Sequence, residues 1–270
     1  MTGTPADAVA ARPVAVVTGA GRGIGAATAR ALATDGWHLV LVDRAADDPA
    51  VPYPLSTRDE LEAVAEACGG TALVGDVRSQ EDMNAAVAAA LDSHGRLDAA
   101  VAAAGVMASG GQTWLVPDPV WDAVVDVNLA GVWRLARAAL PALLDQPAPR
   151  RGRFVAVASV AGMTGMPLLG AYVAAKHGVV GLVRSLAAEL GPHGVTANVV
   201  SPGSTDTEML EATAAIYGLA GAADFAVHHP SGRLVEPTEV AALIRWLCSP
   251  ESSGVTGAVL PVDAGMSAAQ

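Results

Sequence analysis

Tyr172 and Lys176 stand four residues apart in "AYVAAKHG", and Lys176 is the single lysine among the 16 Lys and Arg residues of the chain. On a helix, two side chains at this spacing share one face. A phenol with an ordinary pKa of about 10 is a poor base at neutral pH. An ammonium beside it favours the phenolate and moves it toward the working range. Lysine suits that place better than arginine, because a compact ammonium can hydrogen-bond both hydroxyls of a ribose while lying beneath the ring. Ser159 precedes Tyr172 by 13 residues, at the end of a predicted strand. Its hydroxyl either polarises a substrate oxygen or caps a turn. The three types together suit proton exchange at an alcohol or carbonyl.

A second cluster lies near the N-terminus. "TGAGRGIG", residues 18–25, joins a predicted strand to a predicted helix. There Gly19, Gly23 and Gly25 allow a tight turn, close backbone approach to a pyrophosphate and helix–strand contact. Arg22 belongs to the same binding turn, and the amides from Ile24 onward face the phosphates. Asp43 lies 18 residues past Gly25, where a carboxylate accepts hydrogen bonds from ribose hydroxyls and repels a 2′-phosphate. Arg44 follows and would favour NADP, but Asp43 holds the primary position, so NAD is the expected cofactor. Asp76 and Val77 end the third strand. They hold the adenine edge, or Asp76 caps the next helix.

These residues need a scaffold of alternating strands and helices. Apolar runs predict seven strands, at 13–19, 38–43, 71–77, 97–105, 152–159, 195–203 and 258–265. Between them, helical periodicity marks 24–36, 57–70, 79–95, 118–144, 171–191 and 238–249, with Thr57 and Glu60 forming a capping box. Continuous Val, Leu and Ala strands separated by helices indicate a parallel sheet covered on both faces. The expectation is one α/β, doubly wound Rossmann domain over residues 13–270, preceded by a flexible segment 1–12. Two segments break the rhythm: the proline-containing insertion 44–56 and the apolar segment 207–229. Both follow strands, at the end of such a sheet where ligands bind, so each is a candidate lid.

Composition narrows the class. A net charge of −11 and a pI near 4.8 argue against a nucleic-acid backbone as partner. Arg150, Arg151 and Arg153 read as a solvated loop. No run is long and apolar enough to suggest a membrane span, and "MTGTPADAVAARP" lacks the features of a secretory signal. Cys68 and Cys248 have no metal-ligand spacing, so reduced thiols in a cytoplasmic protein without a metal are expected. The long apolar helices point to a helix-mediated homo-oligomer.

Thr18 to Gly25, Asp43, Asp76-Val77, Asn128, Ser159, Tyr172, Lys176 and Pro202-Gly203 followed by Thr207 together resemble the short-chain dehydrogenase/reductase family, over residues 12–266. The resemblance implies that Tyr172 exchanges the proton as hydride moves to or from nicotinamide C4. Ser159 would steady the substrate oxygen, Lys176 would bind the nicotinamide ribose, and Asn128 would hold a water in the proton relay. Ala104, Gly105, Pro202 and Gly203 would flank the cofactor, with Thr205 and Thr207 at the nicotinamide carboxamide. The family also implies a homotetramer. "AAAG", residues 102–105, departs from the family's Asn-Asn-Ala-Gly and bears on local contacts rather than on the chemistry.

The insertion "DDPAVPYPLSTRDELEAV", with "PAPRRGRFVAVASVAG" and "SPGSTDTEML", is similar to the mycofactocin-associated subgroup. That resemblance implies NAD held without ready exchange and electrons passed to mycofactocin, a peptide-derived redox partner. The implied reaction is oxidation of an alcohol, in a pocket expected from Met107, Met163, Met166, Met209, Leu210, Tyr217 and Phe225. Two other readings are a freely exchanging NAD(P)H reductase of carbonyls or 3-oxoacyl thioesters, and a non-catalytic dinucleotide sensor.

Overall fold

The structure, a computed structural model, describes residues 12–148 and 150–268. All but residue 12 of the N-terminal segment expected to be flexible lies outside the described residues. Seven strands, β1 (Val14–Thr18), β2 (His38–Asp43), β3 (Thr71–Val74), β4 (Ala99–Ala102), β5 (Arg153–Val157), β6 (Thr196–Pro202) and β7 (Val259–Val262), form one parallel sheet in the order 3-2-1-4-5-6-7. The order reverses between β1 and β4, which opens a crevice beyond their carboxyl ends.

Successive strand side chains point to opposite faces, and the two cores follow from that alternation. Val14, Val16, Val40 and Val42 face α3 (Gln80–His94), α5 (Gly131–Leu144) and α6 (Gly170–Leu190). Ala15, Val17, Leu39 and Leu41 face α1 (Gly23–Thr34), α2 (Arg58–Cys68) and α8 (Pro237–Cys248). Large residues such as Phe154, Leu135 and Leu32 are completely buried, each worth roughly 1.5–3 kcal/mol relative to exposure. The helix ends obey the expected signals: Thr57 and Glu60 form the capping box of α2, and Gly69 ends it in a left-handed conformation.

Three expectations are revised. The helix expected over 118–144 is divided into α4 (Asp118–Val125), a π-helical turn Asp126–Ala130 and α5. The segment 207–229 contains helix α7 (Glu208–Ile216) and a 3-10 turn Ala222–His228. Arg153 is not part of a solvated loop. It is the first residue of β5, is buried, and donates to the Gly152 and Ser249 carbonyls at 3.1 and 3.3 Å.

Candidate active site

The glycine turn is shaped by backbone contact. Gly19 has φ +67, and a Cβ there would come within 2.6 Å of Ala104 Cα. A Cβ on Gly25 would lie 2.0 Å from the Gly19 carbonyl oxygen. α1 begins at Gly23 with no side-chain cap and no acidic residue in its first turn, which leaves its amides free to receive an anion. Gly19, Arg22, Gly23, Ile24, Gly25, Asp43, Arg44, Asp76, Val77, Ala104, Gly105 and Thr207 line one groove. These backbone approaches and the uncapped helix fit a dinucleotide. Asp43 closes the far end, its carboxylate accepting from the Gly21 amide at 2.9 Å, the Ala45 amide at 3.3 Å and the Ser56 hydroxyl. Asp76 does not cap α3. Ser79 does, accepting from the Asp82 amide, while Asp76 accepts from the backbone and side chain of Arg78.

The 44–56 insertion is pinned along that groove. The Ser56 hydroxyl donates to Asp43, and Arg22 donates to the Pro54 carbonyl. The Tyr53 hydroxyl accepts from the Met107 amide at 3.0 Å, so the loop extends from the end of β2 to the segment after β4. There Tyr53 packs in the same cluster as Met107, Leu169 and Tyr172. At the loop's start, Asp48 pairs with Arg44 and Arg78 at 2.6 and 2.9 Å. Burial opposes the Asp48 charge, but the Ala50 amide and the two guanidiniums outweigh it and hold the carboxyl below its ordinary range.

α6 carries Tyr172 and Lys176, both buried, and the Lys176 ammonium lies 5.4 Å from the centre of the Tyr172 ring. That ammonium donates to the Val157 carbonyl, at the end of β5, at 2.9 Å. Ser159 leaves the same strand and accepts from the Ala161 amide at 3.1 Å, so it caps a 3-10 turn while it also lines the cavity that Tyr172 lines. The turn-cap and substrate-facing readings of Ser159 are therefore compatible. Burial pushes the Tyr172 phenol up to about 12, and the Ser159 hydroxyl offsets this only in part. Burial also takes Lys176 from 10.5 down to about 7. Desolvation thus works against both charges, and it opposes the depression of the phenol expected from the lysine.

Asn128 sits in the π-helical turn, fully buried. Its amide nitrogen donates to the Val106 and Val124 carbonyls, each at 2.8 Å, leaving Oδ1 without a protein partner. A buried acceptor left over in this way fits a hydrogen-bonded water or ligand group. A Cβ on Gly105 would come within 2.9 Å of that oxygen and 3.7 Å of Lys176 Nζ, so glycine keeps the space between them open.

A cavity of about 520 Å³ adjoins the groove, and Ser159, Tyr172, Lys176, Pro202, Gly203, Thr205 and Thr207 line its polar side. Met107, Met166, Met209, Leu210, Tyr217 and Phe225 form the apolar side expected of them. Met163 does not line it. It ends the 3-10 turn after Ser159 and is 40% exposed. The end of the 207–229 segment is tied down by His229, which is buried. Its Nε2 accepts from the Ser204 amide at 3.2 Å, and Nδ1 lies 3.2 Å from the Phe225 carbonyl, an arrangement for the neutral Nδ1–H tautomer.

Tyr53, Asp48 and His229 were not among the residues singled out from sequence. The proline-containing loop flagged the region of the first two, but no local pattern marked which side chains turn inward. His229 lay in a weakly periodic segment with no motif.

The sequence matches the model of the family described as enoyl-(acyl carrier protein) reductase over residues 19–267. An uncharacterised oxidoreductase of Mycobacterium tuberculosis is 42% identical, covering 93% of this chain and 95% of the relative. A (-)-trans-carveol dehydrogenase of Rhodococcus erythropolis is 38% identical, covering 93% of this chain and 96% of the relative. The crystal structure of carveol dehydrogenase from Mycobacterium avium in complex with NAD superposes with a TM-score of 0.90 at 35% identity, covering 96% of this chain and 99% of that one. A glycine groove, Ser159 in one cavity with buried Tyr172 and Lys176, and relatives of this closeness lead to one conclusion: the chain belongs to the short-chain dehydrogenase/reductase family of nicotinamide-dependent oxidoreductases.

Proposed function

We propose that the protein is an NAD-dependent cytoplasmic enzyme that reversibly oxidises a bulky apolar alcohol to its carbonyl. The observation that carries this reading is the single cavity in which Ser159, Tyr172 and Lys176 face Met166, Leu210 and Phe225, beside the glycine groove. NAD, when bound, supplies the hydride acceptor. Ser159 holds the substrate oxygen, and Tyr172 takes up the hydroxyl proton or returns it. Lys176 holds ribose hydroxyls, and the free oxygen of Asn128 orients a water behind it. Asp43 receives the adenosine ribose. Carveol dehydrogenases among the relatives support an apolar alcohol and NAD.

The cofactor is held tightly and reoxidised in place by mycofactocin. The contacts of the 44–56 insertion support retention, because release requires Tyr53, Pro54 and Ser56 to let go. The enzyme works as a homotetramer, in keeping with Trp121 and Trp133, which are 37% and 45% exposed on α4 and α5. Denaturing the purified protein tests retention: the supernatant should contain NAD equimolar with protein. Carveol should then reduce an artificial dye acceptor without added NAD. An empty protein that turns over freely with added NADH would favour the alternative, a carbonyl or 3-oxoacyl thioester reductase. A ketoacyl reductase of Streptomyces virginiae, 40% identical, gives that second reading its support.

A further inference from the structure

We propose that Asp48 is a specificity-determining residue, which excludes NADP by occupying the Arg44 guanidinium that a 2′-phosphate would need. This rests on the dinucleotide reading of the groove and goes beyond the role given to Asp43. Arg44 lines the groove beside Asp43, while Arg78, outside the groove lining, pairs with Asp48 and Asp76; an arginine beside the ribose is the natural receptor for a phosphate. Both are engaged. Asp48 Oδ2 lies 2.6 Å from Arg44 Nη1 and 2.9 Å from Arg78 Nη1. Asp76 Oδ2 lies 3.4 Å from Arg44 Nε and 2.7 Å from Arg78 Nη2. The two aspartates balance the two arginines, and Asp43 leaves the wall with a surplus negative charge.

Asp48 is the lever in this set because it is 7% exposed and anchored at its other oxygen by the Ala50 amide at 2.9 Å. A 2′-phosphate could take Arg44 only by drawing it away from the buried Asp48, which would then keep one guanidinium, Arg78, and the Ala50 amide, and that loss is costly. Asp76 is more exposed and already shares its carboxylate with Arg78. The insertion therefore delivers, from five residues beyond Asp43, a charge that disarms the arginine next to it.

Isothermal titration of NAD and NADP into nucleotide-free protein tests this. Asp48→Asn removes the charge and keeps an oxygen for the Ala50 amide; Asp48→Ser is the companion variant should the first fold poorly. The ratio of the NADP to NAD dissociation constants should fall about tenfold, from the removal of one nearby negative charge. The double variant Arg44→Ala/Asp48→Asn should restore most of the wild-type ratio. Equal weakening of both nucleotides with an unchanged ratio would overturn the proposal, leaving Asp48 as a loop anchor only. A gain that persists without Arg44 would overturn it too. Failure of NAD to bind the wild-type protein would contradict the groove assignment itself.

Discussion

The Met107 amide donates to the Tyr53 hydroxyl at 3.0 Å, joining the insertion after β2 to the segment after β4 across the nucleotide groove. Tyr53→Phe keeps the ring in its apolar cluster and removes only this bond. One such bond is worth about 1 kcal/mol. The variant should therefore release NAD roughly five- to tenfold faster, measured by stopped-flow exchange against labelled NAD, with little change in melting temperature. An unchanged release rate would show that the loop is held by Asp43, Arg22 and Asp48 without help from Tyr53.

The reach of the insertion was legible only in part. Prolines after Asp43 marked a loop too long for a tight connection, and its place beside Asp43 pointed to the cofactor. That Tyr53 reaches Met107, and that Asp48 meets Arg44 and Arg78, depends on long-range packing that no local pattern encodes. The sheet and its glycine turn were different. Each strand is a run of apolar residues and each helix a periodic one, so their succession along the chain followed from local hydrophobic pattern. The π-helical turn at Asp126–Ala130 escaped because it changes backbone winding without changing hydrophobic period. Met163 was grouped with the pocket methionines by residue type, although its turn carries it outward.

Lys176 makes a pH-dependent contribution to stability. Burial lowers it from 10.5 to about 7. Between those values the unfolded chain holds a proton that the folded chain does not, so on this group's account stability rises with pH across the window. The cost of a buried charge is fully present below about pH 7. Lys176→Met removes the titration, and its melting temperature relative to the wild type should be most favourable near pH 6 and decline toward pH 9. A difference that stays flat over that range would contradict the assigned lowering.

Gly105 keeps the space between Asn128 and Lys176 open. A Cβ at this position would meet Asn128 Oδ1 at 2.9 Å. Gly105→Ala should displace Asn128 from the Val106 and Val124 carbonyls or push Lys176 aside. Turnover should fall by about tenfold or more, out of proportion to a loss of stability of about 1–3 kcal/mol. Circular dichroism melting and turnover with a dye acceptor, measured on the same preparation, separate the two effects. Full activity in a stable variant would remove Asn128 from the proton path.

The assignment of Tyr172 as the proton-exchanging residue is the centre of the account, and Tyr172→Phe tests it with one atom. Wild-type and variant protein, each shown by denaturation to carry NAD, are mixed with carveol in the absence of any acceptor, and the absorbance of reduced nicotinamide is followed through a single turnover. The wild type should form NADH, and the variant should form it at least about a hundredfold more slowly while keeping its NAD. A variant that reduces its NAD at a rate close to that of the wild type would contradict the account.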